Sequence, residues 1–319
     1  MRNLGMEKRV CPLCGSARSR AVIHLSAQEI VMANWSYRQD RFADMSIDPK
    51  ARFSIQQCSG CAFVYAGDLP SRDFLAFVYD DLIDIEAARH ESYSLHNLAN
   101  RMEYLASLIR LVKDGDRVLD FGCGFGPTLA MLKNALGIET VGLETSAARA
   151  TELEKWHPLI IRAASALQAH GPFNAVILDN VLEHIPDPRQ TVDLISNVCA
   201  EGAILFVSVP DISAEYLKSQ IYLNQSSKLL GMDINPWEHL NYFDLAHLDA
   251  LMNQSGFVAL RQAALPGEVR IGLRPEIEVG ARLRNTVASM LRGARYAWTG
   301  DALPSVNRRY YQFNGRTLG

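Results

Sequence analysis

Seven consecutive residues, Asp120-Phe121-Gly122-Cys123-Gly124-Phe125-Gly126, place a carboxylate directly ahead of three alternating glycines. A turn of this kind between a strand and a helix offers a ligand free backbone N–H groups and the partial positive charge of a helix N-terminus. Gly122 and Gly124 also let the backbone come close without interference from a Cβ. Three details narrow the ligand. The dinucleotide fingerprint requires Gly or Ala three residues after its second glycine, and Pro127 stands there. Asp120 would repel a pyrophosphate but can orient an ammonium group. Glu144 ends the next apolar run, 24 residues after Asp120, where a carboxylate can accept both hydroxyls of a ribose. The set fits a ligand with an amino group and a ribose but no phosphate, the chemistry of S-adenosylmethionine.

Two further groups could do chemistry. Asp179-Asn180-Val181-Leu182-Glu183-His184 follows a β-branched run, at the sheet edge where open α/β folds bind ligands. Glu238-His239 follows a segment, 211–236, long enough to cover such a site. The activated sulfonium of the methyl donor leaves the protein to align the acceptor, and an oxygen acceptor also needs its proton removed. His184, Glu238 and His239 are the catalytic candidates, with Tyr79 and Tyr222 as contributors to a lid. Separately, Cys11-x-x-Cys14 and Cys58-x-x-Cys61 supply four thiolates, the set a structural zinc prefers. The 43 residues between the pairs exceed the usual ribbon spacing, but an insertion there is harmless if the two turns still meet.

The elements that position these groups follow from periodicity. Residues 1–66 read as a zinc-ribbon-like domain with short strands at 52–55 and 62–65, and 67–105 as a helical linker or lid. From 106 to 273 short strands alternate with amphipathic helices, the pattern of a parallel sheet with helices on both faces. Strands are expected at 117–120, 140–144, 159–161, 175–178, 203–209 and 257–260. Helices are expected at 127–136, 147–156, 189–199 and 245–254. Gly267 could turn the chain into an antiparallel partner strand over 268–273. Residues 274–319 read as an Arg-rich extension that could pack on the core through Tyr296, Trp298, Tyr310, Tyr311 and Phe313, or pair two subunits as a homodimer.

In the first motif (118–126), Glu144, the 179–188 segment Asp-Asn-Val-Leu-Glu-His-Ile-Pro-Asp-Pro and Glu238-His-Leu-Asn-Tyr-Phe243, the chain resembles the class I S-adenosylmethionine-dependent methyltransferases. The resemblance implies a Rossmann-like core with a mostly parallel seven-stranded sheet, preceded here by a small zinc ribbon. It implies cofactor contacts from Asp120, Gly122, Cys123, Gly124, Gly126, Glu144, Thr145, Ser165, Asp179 and Asn180. Cys123 is also read as a small packing residue. Family members often carry an acid after the third strand that meets adenine; here the stretch is Ala163-Ala164-Ser165-Ala166-Leu167, so backbone groups, the Ser165 hydroxyl and the Leu167 face are expected to take its place. Related sugar methyltransferases use a Glu-His pair and the histidine after strand four around the acceptor, which carries over to Glu238, His239 and His184. The zinc ribbon ahead of the core is similar to that of sugar C-methyltransferases acting on nucleotide-linked deoxysugars. Those carry a further large C-terminal domain that this chain does not match.

Bulk properties bound the function. The 319 residues carry a formal net charge of −3 and 48% hydrophobic residues, giving no global reason to bind nucleic acid or an acidic membrane. No apolar run spans a bilayer and the first residues do not read as a signal peptide, so a soluble cytoplasmic protein is expected. Charge is uneven: residues 1–61 hold nine Lys/Arg against five Asp/Glu, and residues 266–319 hold nine Arg against four acids. The expectation is methyl transfer from S-adenosylmethionine to a small-molecule acceptor such as a sugar, a polysaccharide precursor or a secondary metabolite. The alternatives are an RNA methyltransferase gripping RNA with its two basic ends, and a non-catalytic S-adenosylmethionine-binding interaction protein. No Asn/Asp-Pro-Pro-Tyr/Phe element follows strand four, which disfavours exocyclic amines of bases as acceptors.

Overall fold

The computed structural model describes residues 5–34, 36–45, 47–113, 115–135, 137–210, 234–260 and 306–315. Seven strands form one mixed sheet: β6 (Arg117–Phe121), β7 (Glu139–Leu143), β8 (Ile160–Ile161), β9 (Phe173–Asp179), β10 (Cys199–Pro210), β12 (Phe257–Ala259) and β13 (Val306–Phe313). Their order is β12-β13-β10-β9-β6-β7-β8; β6 to β10 run parallel, and β13 inserts antiparallel between β10 and β12. This is the Rossmann-like arrangement the motifs imply. Both faces are covered, so successive residues of one strand bury in opposite cores. Ala175 and Ile177 meet Tyr104, Leu105 and Leu108 of α4 (Leu95–Leu108), while Val176 and Leu178 meet Val192 and Ile195 of α7 (Pro188–Val198) and Leu248 of α8 (Leu245–Gln254).

Most expected elements lie within a few residues of their sequence positions, and α8 has the expected bounds. The 127–136 helix forms as a short α-turn, α5 (Pro127–Ala130), that widens over 131–135. The division at 273 needs correction. Val306–Phe313 is a full strand of the central sheet, registered Ile204↔Gln312 through Pro210↔Val306, with Tyr311 fully buried in the core. Its alternation was hidden by Arg308 and Arg309, whose guanidiniums reach Glu103 and Asp249. The strand expected at 268–273, Tyr222, Tyr296 and Trp298 lie outside the described residues.

The N-terminal part is joined to the rest of the chain by a shared sheet. β2 (Ser19–Ser26), β3 (Arg52–Cys58) and β4 (Val64–Ala66) make an antiparallel sheet whose fourth strand, β11 (Asn241–Tyr242), comes from the far side of the chain. Trp237 is buried completely in this module's own core, stacked on Tyr37 and met edge-on by Phe53 and Phe74. Burying an indole from residue 237 among residues of the first third of the chain fixes the two parts to each other, because such a side chain carries a large apolar area. Between them, α2 (Arg72–Phe77) and the turn Val78–Leu82 lead through α3 (Ile85–Ser92) to α4. No described helix is long and apolar enough to cross a membrane.

Candidate active site

The glycine turn adopts the geometry its composition requires. Gly122, Gly124 and Gly126 all have positive φ (75°, 58° and 78°), a region closed to most side chains. They differ in what surrounds them. A Cβ on Gly126 would come within 2.5 Å of Leu153 and 2.8 Å of Trp156, whereas one on Gly124 would meet nothing within 4 Å. Gly126 serves packing, whereas the space beside Gly124 is open. Cys123 is buried beside Leu129 and Leu153, so its side chain packs the turn onto the sheet.

Asp120, the next-to-last residue of β6, is buried, and its Oδ2 has no hydrogen-bond partner among the described residues. Burial, reinforced by the neighbouring Asp179 carboxylate, raises its pKa to about 7. An orphaned buried carboxylate costs free energy until a cation meets it. The ammonium of S-adenosylmethionine is such a cation. Glu144 is also buried; its oxygens accept from the backbone N–H of Gly124 at 2.9 Å and of Ser146 at 2.7 Å. It thereby ties the turn to the first residues of α6 (Ala147–Glu154), with lone pairs left for ribose hydroxyls. Thr145 beside it is exposed.

At the end of β9, Asp179 accepts from the Tyr104 hydroxyl at 3.2 Å and lies 3.7 Å from Nε of Arg101. Asn180 takes a positive φ of 55° while its N–H donates to Ser208 O at 2.9 Å, turning the chain sharply over the strand ends. Sequence reasoning missed Arg101 and Tyr104. Both stand on α4, far from any motif, and only the sheet packing brings them to Asp179. After the third strand, Ser165 is exposed, but Leu167 is fully buried in the core. The expectation that Leu167 offers a face to adenine is therefore corrected: the 3₁₀ turn Ala164–Ala169 points it inward, toward the residues under the sheet.

The acceptor-side candidates do meet. The His184 and His239 rings lie 4.8 Å apart edge-on, and His184 Nε2 is 4.0 Å from the buried Glu183 carboxylate. His184 Nδ1 lies 3.1 Å from the Glu238 carbonyl and 3.2 Å from the Tyr79 hydroxyl. Burial and the neighbouring His239 hold its pKa well below the usual imidazole value. Donor atoms of Glu183, His184 and His239 all fall within 4.8 Å of one another. The Glu238 side chain turns elsewhere. Its Oε1 accepts from Tyr37 at 2.6 Å, Asn235 at 2.9 Å and Asn34 at 3.2 Å, so it braces the His239 segment against the N-terminal module. The 182–185 turn is clamped from the same side: Asn241 Nδ2 donates to the carbonyls of Leu182 and Ile185, and Leu240 N to that of Glu183.

The sequence model of the methyltransferase domain family matches residues 92–262, more than half of the chain and all of the motifs just described. The chain belongs to this family. Among curated relatives, ubiquinone biosynthesis O-methyltransferases of Xanthomonas campestris pv. campestris are 32% identical over 117 residues, covering 34% of this chain and 48% of theirs. That of Xylella fastidiosa is 31% identical over 116 residues, with 34% and 46% covered. The chain thus spans about half the length of the curated relatives it matches. A crystal structure of the plantazolicin methyltransferase BamL, in complex with a triazolic desmethyl analogue and S-adenosylhomocysteine, aligns at TM-score 0.51 and 12% identity over 75% of this chain and 94% of that one. It supports the fold.

The four cysteines also come together. Cys11 Sγ lies 3.6 Å from Cys61 Sγ and Cys14 Sγ 3.5 Å from Cys58 Sγ, with all four sulfurs within 4.8 Å. A tetrahedron with zinc–sulfur bonds of about 2.3 Å has edges of about 3.8 Å, so the donor set fits that ion. The two turns are built alike. Gly15 and Ala62, each four residues after the first cysteine of its pair, have positive φ and donate their N–H to Cys11 and Cys58 respectively.

Proposed function

We propose that this methyltransferase moves the methyl group of S-adenosylmethionine to a hydroxyl of a small-molecule acceptor, with His184 as the general base. When bound, S-adenosylmethionine supplies an activated methyl group on sulfur. Asp120 would hold its ammonium, the Gly122–Gly124 backbone its methionine chain, Glu144 its ribose, and Asn180 with Arg101 its carboxylate. Thr145 and Ser165 border the nucleoside end.

The observation that carries the base assignment is the environment of His184 Nδ1. A carbonyl oxygen can only accept, so contact with Glu238 O fixes the proton on Nδ1 and leaves Nε2 with a lone pair. Nε2 can then take the acceptor's proton as its oxygen attacks the methyl carbon and the sulfur–carbon bond breaks. The imidazolium so formed lies beside Glu183, whose carboxylate stabilises it. Tyr79 and His239 orient the ring and line the acceptor side, while Glu238 acts through its brace and its carbonyl. The names of the curated relatives support an oxygen acceptor. Sugars, polysaccharide precursors and hydroxylated secondary metabolites are the acceptor classes in view. We further infer that Cys11, Cys14, Cys58 and Cys61 hold one structural zinc, since four thiolates leave no open coordination position.

His184→Ala should lower kcat by about a hundredfold or more while S-adenosylhomocysteine affinity stays within about twofold by calorimetry. Unchanged kcat would remove His184 from the mechanism.

A further inference from the structure

Among the described residues, Arg149 is a cation beside this site that the mechanism above does not use. It sits in the first turn of α6, five residues after Glu144. Its guanidinium lies between two rings, 4.9 Å from the centroid of Phe125 in the glycine turn and 5.8 Å from that of Tyr79, the tyrosine that contacts His184. Its Nε is buried and has no hydrogen-bond partner among the described residues. A guanidinium held flat by aromatic faces keeps its edge N–H groups pointing outward, arranged to meet a carboxylate or phosphate in a two-pronged contact.

The space for such a group is present. A cavity of about 540 Å³ opens beside Arg149, lined by Arg89, His90, Tyr93, Phe125 and Trp156 among others. Its charges are largely matched on its own walls: Arg89 pairs with Glu86 at 2.6 Å and Lys155 with Glu152 at 2.5 Å. Arg149 has no such ion pair among the described residues, so it is the cation left to a ligand. The Tyr93 hydroxyl donates to the Phe125 carbonyl at 2.9 Å, fixing the aromatic wall to the turn that cradles the cofactor. The cavity stops at Arg149 and Phe125, and on the other side of Arg149 the Tyr79 ring connects this cation to His184.

Resting on the methyl-transfer reading above, we propose that the acceptor is an anionic small molecule, carrying a carboxylate or phosphate that Arg149 binds at the mouth of this cavity. Such a group would orient the acceptor and distinguish it from neutral hydroxyl compounds. The acidic neighbours Glu144 and Glu238 have hydrogen-bond partners of their own, although Glu144 also feels the Arg149 charge. Glu144 is held by backbone N–H groups, Glu238 by Tyr37, Asn34 and Asn235, and Glu183 lies beyond His184.

The test titrates phenol, benzoate and phenyl phosphate into the protein saturated with S-adenosylhomocysteine. These probes share one ring and differ in the anionic group. One or both anionic probes should bind at least about tenfold more tightly than phenol at low salt, and the tighter of the two identifies the group. Arg149→Gln should abolish that preference and Arg149→Lys should keep part of it, each with S-adenosylhomocysteine affinity within about twofold of the parent. Equal binding of the three probes, or discrimination that survives in Arg149→Gln, overturns the proposal while leaving methyl transfer standing. A large loss of S-adenosylhomocysteine affinity in Arg149→Gln assigns the residue to the cofactor and also overturns it. Failure of the parent protein to bind S-adenosylhomocysteine would instead defeat the reading on which the proposal rests.

Discussion

Replacing Asp120 by Asn should make the ligand-free protein more stable and the cofactor complex weaker. In the folded, unliganded chain the Asp120 pKa is raised from 3.8 to about 7. A carboxyl with a raised folded-state pKa binds more protons folded than unfolded between those values, so its ionisation opposes folding as pH rises. The penalty is absent below about pH 4, grows through the interval and is complete above pH 7. Three units at 1.36 kcal/mol each make it on the order of 4 kcal/mol. Asn removes the charge but leaves a buried amide, so part of that amount should return, as a rise of several degrees in Tm at pH 8 that disappears toward pH 4. The same substitution removes a charge-assisted contact to the ammonium of about 1.5–3 kcal/mol, which weakens S-adenosylhomocysteine binding roughly 10- to 150-fold. In the parent protein the cofactor must displace the proton, so affinity should fall about tenfold per pH unit between pH 7 and pH 5, and Asp120→Asn should flatten that slope. Thermal melts and calorimetry across pH measure both effects. A variant that is less stable at pH 8, or that binds S-adenosylhomocysteine as tightly as the parent, would refute the reasoning.

The remaining expectations concern the other parts of the site. Because burial and His239 keep His184 neutral well below the ordinary imidazole range, kcat at saturating cofactor and acceptor should stay level from pH 8 to about pH 6.5. A steep fall beginning near pH 7 would point to a different base. Gly124→Ala and Gly126→Ala both carry the backbone cost of an alanine at positive φ. Gly126→Ala should destabilise more, since its Cβ also strikes Leu153 and Trp156, while Gly124→Ala should act more on cofactor binding, since its Cβ enters only open space. Paired melting and binding measurements would show this division, and its inversion would contradict the roles given to the two glycines. Elemental analysis should find about one zinc per chain, lost in Cys11→Ser; zinc retained in that variant would exclude the four-cysteine site.

What the sequence disclosed of this site, it disclosed where chemistry is local. The acid, the glycine spacing and Glu144 lie within two strands and the turns that follow them, so their types and separations carried the cofactor reading. The alternation of β6 to β10 with helices was equally legible, because strands buried on both faces read as continuous apolar runs. Arg101 and Tyr104 were not legible. Their partner Asp179 is more than seventy residues away, and an arginine on an amphipathic helix carries no mark of what it faces. β13 was obscured for a related reason: a basic pair that contacts Glu103 and Asp249 reads as polar surface when its partners are unknown. Leu167 illustrates the opposite error. Its neighbours in sequence suggested a ligand wall, but the 3₁₀ turn directs an apolar side chain into the core.

The union of the cysteine module with the acceptor side bears on how this chain controls its chemistry. Cys11 and Cys58 bury in the same core as Phe243 and Leu248, and His247 Nε2 lies 2.8 Å from the Cys61 carbonyl. Arg9, two residues before the first cysteine, donates to the Leu240 carbonyl at 2.7 Å and to Asn241 Oδ1 at 2.9 Å. Asn241 in turn holds the turn that carries His184, and the module's Tyr37 holds the carboxylate beside His239. Each histidine is thus positioned by contacts that originate in the first 70 residues, whereas Asp120 and Glu144 are positioned by the sheet and its turns. Loosening the module should therefore disturb the acceptor side while sparing cofactor binding, because catalysis by a base depends on alignment to a fraction of an ångström and ligand capture by the glycine turn does not. The cysteine pairs lie far from His184 and His239 in sequence, yet through Arg9, Asn241 and Tyr37 the module they belong to helps set the geometry of both histidines.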